Sequence, residues 1–173
     1  KAVGSPVHCA GLVTTRTLEH AQIRKEEIVL NEISGAIVHT PFGQQIILGG
    51  DKEYALVIDR QKFDLLLSNR AQDAGVDLLL ETRVLSIEES DNGVSVRVMR
   101  KGQEMTILSS LVVRADGSKS MILHNADFGS MDDVILATGG EIVSKSLSQN
   151  MVEIFIGSDV APGWFGWLIP AQD

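Results

Sequence analysis

Hydrophobic positions in the first third of the chain form short β-branched runs divided by turn residues. The runs at 36–39, 45–48 and 54–58 are separated by Pro41 and Gly43 and by the Gly-Gly-Asp sequence at 49–51, and this pattern predicts three strands. Residues 1–13 read as a Gly- and Pro-punctuated loop, and residues 15–33 mix charged and apolar positions, which predicts one or two short helices.

Residues 60–74 carry the clearest helical pattern. Asp59 is suited to cap the N-terminus, and Gly75 is suited to end the helix in the left-handed conformation. Apolar side chains recur with helical spacing and predict one buried stripe, made of Phe63, Leu66, Leu67, Ala71 and Ala74.

A three-stranded meander is predicted next. Asp91-Asn92-Gly93 is a strong hairpin signal, alternating Val residues at 94, 96 and 98 predict one buried face, and Lys101-Gly102 turns the chain into a third strand at 105–108.

Continuous apolar residues at 111–113 predict a strand buried on both faces. The loop that follows, at 115–118, occupies the position where α/β sheets bind ligands. Residues 119–131 are predicted to be irregular, and two long strands are predicted at about 132–145 and 151–158. We therefore expect two interleaved layers, with residues 35–58 and 132–170 in one sheet and residues 60–117 in a helix–meander–strand unit.

Composition narrows the class of protein. The chain of 173 residues is 44% hydrophobic and 22% charged, which indicates one ordinary or two small globular domains. A net charge of −8 without a basic block argues against a nucleic-acid partner. The one cysteine fits a reducing compartment, and no apolar run approaches the roughly 20 residues that span a bilayer. The four histidines lack metal-site spacing, so no metal is predicted.

Aromatic residues make up 5% of the chain, yet both tryptophans fall in the segment 162–170. Trp164, Phe165 and Trp167 are interrupted by Gly166, and glycine inside a strand often marks close approach by a ligand. A core strand is the ordinary explanation of such a segment. The alternative is an aromatic wall for an apolar substrate, formed by Trp164, Phe165, Trp167 and Pro170.

Four motifs together resemble one family. They are the Cys-containing loop at 6–12, the Asp-Arg-x-x-Phe-Asp helix start at 59–64, the Asp-Gly pair at 116–117 about 55 residues later, and the aromatic signature Phe165-Gly166-Trp167-Leu168-Ile169-Pro170. The chain is similar to geranylgeranyl reductases of the FAD-dependent aromatic-hydroxylase superfamily. Arg114 departs from the glycine usual two residues before the Asp of that pair.

The resemblance implies a mixed α/β fold with two interleaved domains. One is a partial, Rossmann-like FAD-binding domain with a β-meander, formed by residues 1–34 and 60–131. The other is a mixed or antiparallel substrate-binding sheet, formed by residues 35–59 and 132–173. It implies an enzyme that uses reduced FAD to reduce C=C bonds of isoprenoid chains. The FAD-contacting residues implied are Cys9, Ala10, Gly11, Arg60, Val84, Asp116 and Gly117, with Cys9 also catalytic. The electron donor is left open between nicotinamide, ferredoxin and an F420-type donor.

The G-x-G-x-x-G unit of the superfamily is not found in this chain. We therefore expect about 35 residues to precede Lys1 and a longer segment to follow Asp173. The isolated chain is expected to bind FAD weakly or not at all and to self-associate. An isoprenoid lipid partner implies a cytoplasmic protein with peripheral contact at the inner membrane face. Two flavin alternatives remain, an aromatic monooxygenase and a quinone oxidoreductase-like enzyme, and a non-enzymatic lipid-binding module is the alternative from another class.

Overall fold

A computed structural model describes residues 2–91, 93–117, 135–144 and 148–171 of the chain. Within these ranges there are three helices, α1 (Thr15–Ala21), α2 (Lys25–Ile28) and α3 (Arg60–Asp73). The strands in the same ranges are β1 (Leu12–Val13), β2 (Val29–Ile33), β3 (Gly35–His39), β4 (Gln45–Gly49), β5 (Ala55–Ile58), β6 (Thr82–Ser90), β7 (Gly93–Arg100), β8 (Gln103–Ser109), β9 (Met151–Ile156) and β10 (Phe165–Leu168). The mixed α and β class predicted from the sequence is confirmed.

The described chain divides into two compact units. One is Leu78–Leu136, and the other combines Ala2–Asp77 with Ala137–Asp173. This division reflects packing within the chain, so the assignment of cofactor and substrate domains stays a prediction.

Leu78–Leu136 contains the predicted meander, with strand order β6-β7-β8. β6 pairs with β7 in antiparallel register, with Ser90 opposite Gly93, as the Asn-Gly hairpin signal predicted. Val98 is 2% exposed, whereas Val94 and Val96 are half-buried, so the predicted buried face is realised most fully at one of its three valines.

The second unit contains a small sheet of order β1-β5-β2. Helix α3 follows strand β5 of this sheet in the chain. Its core is made of apolar side chains from α1, α2, β5 and the loop after α1, namely Leu18, Ile23, Ile28, Leu56 and Ile58. Asp59 caps α3 as predicted, because its carboxylate accepts a hydrogen bond from the Lys62 backbone N–H at 3.0 Å. Gly75 follows the helix with φ +93°, also as predicted.

The same unit contains a four-stranded mixed sheet of order β10-β9-β3-β4. β3 is parallel to β9 and antiparallel to β4, and β9 is antiparallel to β10. The prediction that residues 35–58 share one sheet is wrong for β5, which pairs with β1 and β2. Ile33, Val57 and Val152 form a second core cluster, with Ala36, Ala55, Ile154 and Ile169 packed against it.

The predictions of two strands are wrong for the residues that the structure describes. Residues 111–113 form no strand, and Leu111 and Val113 are 74% and 82% exposed. Residues 135–144 are likewise exposed and without strand structure. A strand needs a hydrogen-bonded neighbour, and no strand of the described ranges pairs with either segment. The predicted irregular segment 119–131, together with 132–134 and 145, lies outside the described residues.

The apolar stripe of α3 is realised only in part. Phe63 and Leu66 pack against the first core cluster, but Leu67 and Ala74 are exposed and no residue of the helix is fully buried. The small sheet therefore covers a narrower face of the helix than the spacing of its apolar residues predicted.

Candidate functional site

The Cys-containing loop is held against the start of α3 by two close approaches of its glycines. Gly11 has φ +80°, and a Cβ at this position would lie 2.4 Å from the carbonyl oxygen of Ile58. Gly4 has φ +69°, and its Cβ would lie 2.8 Å from the carbonyl oxygen of Gln61. The Ile58 N–H donates to the Gly11 carbonyl at 3.0 Å. The backbone contacts therefore require glycine at these two positions and fix the loop beside Arg60.

A pocket of about 170 Å³ lies between this loop and α3. Its lining combines one thiol, one imidazole and one ion pair, contributed by Pro6, Val7, His8, Cys9, Arg60 and Asp64. Cys9 is exposed. The structure thus brings together Cys9 and Arg60, which are 51 positions apart in sequence, with Ala10 and Gly11 adjoining Cys9 in the same loop.

Arg60 is held by the carboxylate of Asp64 one turn along the helix. Its Nη2 donates to Asp64 Oδ1 at 3.1 Å and to Oδ2 at 3.3 Å. Partial burial opposes the charged form of Arg60. However, the hydrogen bond and charge of Asp64, with smaller contributions from Cys9, outweigh that effect, so the pKa of Arg60 is raised above its usual value. Arg60 therefore stays a cation in the pocket.

One donor of Arg60 has no acceptor within the described part of the chain. Its Nε is buried and makes no hydrogen bond there. A buried N–H without an acceptor is costly, and a flavin ring or a pyrophosphate offers acceptor atoms of the kind that an arginine binds. The residues therefore fit an acceptor-rich cofactor such as FAD. Ligand sites are typically about 300–1,000 Å³, so a pocket of this size encloses only part of such a cofactor.

The aromatic segment forms β10 at one edge of the four-stranded sheet. The rings of Trp164 and Phe165 stack at 5.0 Å, and those of Phe165 and Trp167 meet edge to face at 5.9 Å. Phe165 and Trp167 are half-buried, and Trp164 is 49% exposed. Pro170 is buried, and its carbonyl oxygen accepts a hydrogen bond from Asn31 Nδ2 at 2.9 Å.

The sheet register defines two faces. Phe165 pairs with Ile156, and Trp167 pairs with Ile154, which pairs in turn with Val38. Paired residues project to the same side of a sheet, so these five apolar residues share one side, here called the aromatic face.

The opposite side is here called the histidine face and carries His39, Glu153 and Phe155. His39 Nε2 lies 2.7 Å from Glu153 Oε2, and the His39 ring stacks on Phe155 at 4.4 Å. Sequence reasoning missed this pair, since its members are 114 positions apart.

Val84, Asp116 and Gly117 lie in the unit Leu78–Leu136. Val84 is 37% exposed and pairs with Val98, next to a register irregularity between Val84 and Ser86. Asp116 is exposed, and its Oδ2 lies 3.3 Å from Arg114 Nη2. Gly117 has φ +78°, and none of the described atoms lies within 4 Å of the position that its Cβ would take. The arginine that departs from the family pattern is thus ion-paired with the aspartate two residues later.

Asp64 was missed as a site residue, although it closes the Asp-Arg-x-x-Phe-Asp motif. The signal was present, because residues at i and i+4 of a helix are neighbours and Arg60 and Asp64 have this spacing.

Two kinds of feature are absent from the described residues. No helix there is long and apolar enough to cross a membrane. No group of three or more His, Cys, Asp or Glu residues there is arranged to hold a metal ion.

The fold is shared with a solved structure, a geranylgeranyl bacteriochlorophyll reductase-like protein from Thermoplasma acidophilum. The match has a TM-score of 0.76 at 24% sequence identity and covers 98% of this chain and 45% of that one. The FAD binding domain family matches residues 10–165, and the chain belongs to this family.

Curated relatives carry a more specific name. The digeranylgeranylglycerophospholipid reductase of Methanocaldococcus jannaschii is 30% identical over 173 residues, which covers 97% of this chain. The protein of the same name from Methanococcus vannielii is 31% identical over 176 residues, which covers 99% of this chain. The chain spans 44% of the length of each relative. The resemblance predicted from the four motifs is confirmed.

Proposed function

We propose that the whole protein is an FAD-dependent oxidoreductase that reduces C=C double bonds of geranylgeranyl chains in archaeal-type ether lipids. Membership in the FAD binding domain family and the names of the curated relatives support this proposal. The main structural support for the site is the pocket that Cys9 and Arg60 line together.

Arg60 is proposed to hold the cofactor. Its unpartnered Nε–H offers a donor to an acceptor atom of FAD, and its positive charge suits the electron-rich ring or phosphates. Ala10 and Gly11 let the loop backbone approach the cofactor closely. Val84, Asp116 and Gly117 are proposed to meet the adenine, ribitol and pyrophosphate portions, as the family resemblance implies.

Cys9 is proposed to act as a proton donor. Reduced FAD, when bound, supplies the hydride that adds to one carbon of the double bond. The other carbon then requires a proton, and the exposed Cys9 thiol in the pocket is a side chain suited to general acid catalysis.

The aromatic face is proposed to bind the isoprenoid chain. Phe165 and Trp167 present half-buried rings there, the 49% exposed Trp164 ring stacks on Phe165, and ligand pockets for apolar molecules are lined by such side chains. The histidine face suits this role less well, because binding an apolar chain over the His39–Glu153 pair would remove two polar side chains from water. Pro170 is proposed to contribute by fixing the end of β10.

We further propose that residues 1–34 and 60–131 serve the cofactor and that residues 35–59 and 132–173 serve the substrate. We also propose that the protein is cytoplasmic and makes peripheral contact with the inner membrane face, because the curated relatives are named for a glycerophospholipid. An exposed edge strand, β4, supports self-association of the isolated chain.

One experiment tests the reaction. The whole protein is purified, its flavin is reduced under anaerobic conditions, and the flavin absorbance is followed while candidate substrates are added. We expect reoxidation by geranylgeranyl glycerol ether lipids, with loss of double bonds by mass spectrometry. Reoxidation only by a phenol with oxygen would identify a monooxygenase, and reoxidation only by a quinone would identify a quinone oxidoreductase-like enzyme. A protein that binds lipid but no flavin would be a lipid-binding module.

The role of Cys9 has a separate test in the same assay. We expect Cys9→Ala to slow lipid reduction by at least about 100-fold for each bound flavin, the usual contribution of general acid–base catalysis. Cys9→Ser, which keeps a weaker proton donor, should retain more activity than Cys9→Ala. A Cys9→Ala protein that reduces lipid at the normal rate would eliminate any catalytic role for this thiol.

A further inference from the structure

The ion pair of Asp64 with Arg60 is not explained by helix stability alone. It lines the pocket, and both of its carboxylate oxygens face the same nitrogen, Nη2 of Arg60. For a helix, the favourable order of such a pair places the acid before the base, and a cation in the first turn is opposed by the helix dipole. Here the order is reversed, with Arg60 in the first helical position and Asp64 one turn later.

The contact fixes the direction of the arginine. A guanidinium is a rigid planar fork, so anchoring Nη2 also sets where Nε and Nη1 lie. Both partners are confined to a similar extent, since their side chains are 29% and 34% exposed. The Phe63 ring lies below the same group, with its centroid 6.0 Å from Arg60 Cζ. The buried Nε–H is therefore held in a fixed direction, and it has no acceptor among the described residues.

The carboxylate also balances charge beside Cys9. Without Asp64, the nearest ionised group to the thiol on α3 would be an unopposed cation, and cations increase the reactivity of a cysteine by favouring the thiolate. His8 also lines the pocket.

We propose that Asp64 is a positioning residue that holds Arg60 in place at Cys9, so that the guanidinium meets the ligand in one orientation and its charge beside the thiol is opposed by a carboxylate. This inference rests on the proposed function for the identity of the ligand. The position of Arg60 relative to Cys9 does not depend on it.

The test is a double-mutant cycle on the whole protein, stripped of flavin, at pH 8. The probe is iodoacetamide, and the rate of alkylation at Cys9 is followed by mass spectrometry of the peptide that contains it. We expect Asp64→Asn to raise this rate by about threefold or more, the scale of coupling between contacting groups. Asp64→Glu, which keeps the charge, should restore a rate near that of the unmodified protein.

Two further variants decide the interpretation. If Asp64 acts through Arg60, Asp64→Asn should have no effect in an Arg60→Ala background. Asp73→Asn, at the exposed end of the same helix, should not change the rate in either background. An equal effect of Asp64→Asn with and without Arg60 would overturn the proposal, as would no effect in either. Circular dichroism of each variant checks that the fold is retained, and Asp64→Glu provides the comparison if Asp64→Asn does not fold.

A parallel measurement separates this proposal from the proposed function. FAD titration of the unmodified protein reports whether a flavin binds at all. If FAD does not bind and the cycle still shows coupling, the proposed function fails and the positioning of Arg60 stands. If FAD binds and the cycle shows no coupling, the role of Asp64 is refuted while the cofactor binding that the proposed function requires is retained.

Discussion

The close approach of Gly11 to Ile58 makes a sharp prediction about stability. In Gly11→Ala, the new Cβ would lie 2.4 Å from a carbonyl oxygen, well inside the about 3.5 Å at which nonbonded atoms attract. The residue would also keep φ +80°, which costs a non-glycine residue about 1–2 kcal/mol. The reduced entropy of the unfolded chain offsets about 0.4–1 kcal/mol of this loss of stability. Crowding of a packed site destabilises the fold by a further about 1–3 kcal/mol. We therefore expect a net loss of about 2–4 kcal/mol.

Gly43 is a matched control for this substitution. It lies in the same unit and has φ +76°, but no atom of the described ranges lies within 4 Å of the position that its Cβ would take. Gly43→Ala therefore carries the backbone cost without the crowding, and we expect it to lose only about 1 kcal/mol. The difference between the two variants measures the contact alone.

The assay is urea unfolding followed by tryptophan fluorescence, because both tryptophans belong to the unit that contains Gly11. For an m-value near about 2 kcal/mol/M, the midpoint of Gly11→Ala should fall below that of Gly43→Ala by about 0.5–1.5 M. Equal midpoints would show that the loop backbone is not held against Ile58. The pocket that Cys9 lines would then lack the support on which its geometry depends.

Three other changes test the remaining features. Asn31→Ala removes the donor to the Gln149 and Pro170 carbonyl oxygens, and it should lower the free energy of unfolding in urea by about 1–3 kcal/mol. Asn31→Asp should not restore this stability, because a carboxylate cannot donate a hydrogen bond. Ile47→Lys, on an exposed edge strand, should reduce self-association of the 173-residue chain in sedimentation velocity; an unchanged distribution would exclude this edge. Trp167→Ala should raise KM for the isoprenoid lipid by about 10-fold or more, the scale of a lost aromatic contact, and an unchanged KM would remove this ring from the substrate site.

Features set by neighbours in sequence were predictable. The cap at Asp59, the terminator at Gly75 and the hairpin at 91–93 each depend on a few adjacent residues, and the structure has all three. The coupling of Arg60 to Asp64 belongs to the same class, because its i, i+4 spacing is visible in the sequence.

Features set by distant partners were not predictable in this way. The apolar run at 111–113 has the composition of a buried strand, but a strand forms only when another strand pairs with it. His39 and Glu153 meet because β3 lies parallel to β9, and nothing local to either residue indicates that pairing. The family resemblance implied that Cys9 and Arg60 contact the same cofactor. Their spacing in the sequence does not indicate this.

The two interpretations of the aromatic segment, core strand and ligand surface, describe different ends of one sheet face. Ala36 and Val152 pair with one another and pack into the second core cluster. Farther along the same face, Phe165 is only half-buried and Ile156 is 40% exposed. Burial at one end holds the sheet in place, so the rings at the other end are presented on a rigid support. An aromatic residue in β10 can therefore contribute to the core through its neighbours and still offer its own ring to an apolar ligand.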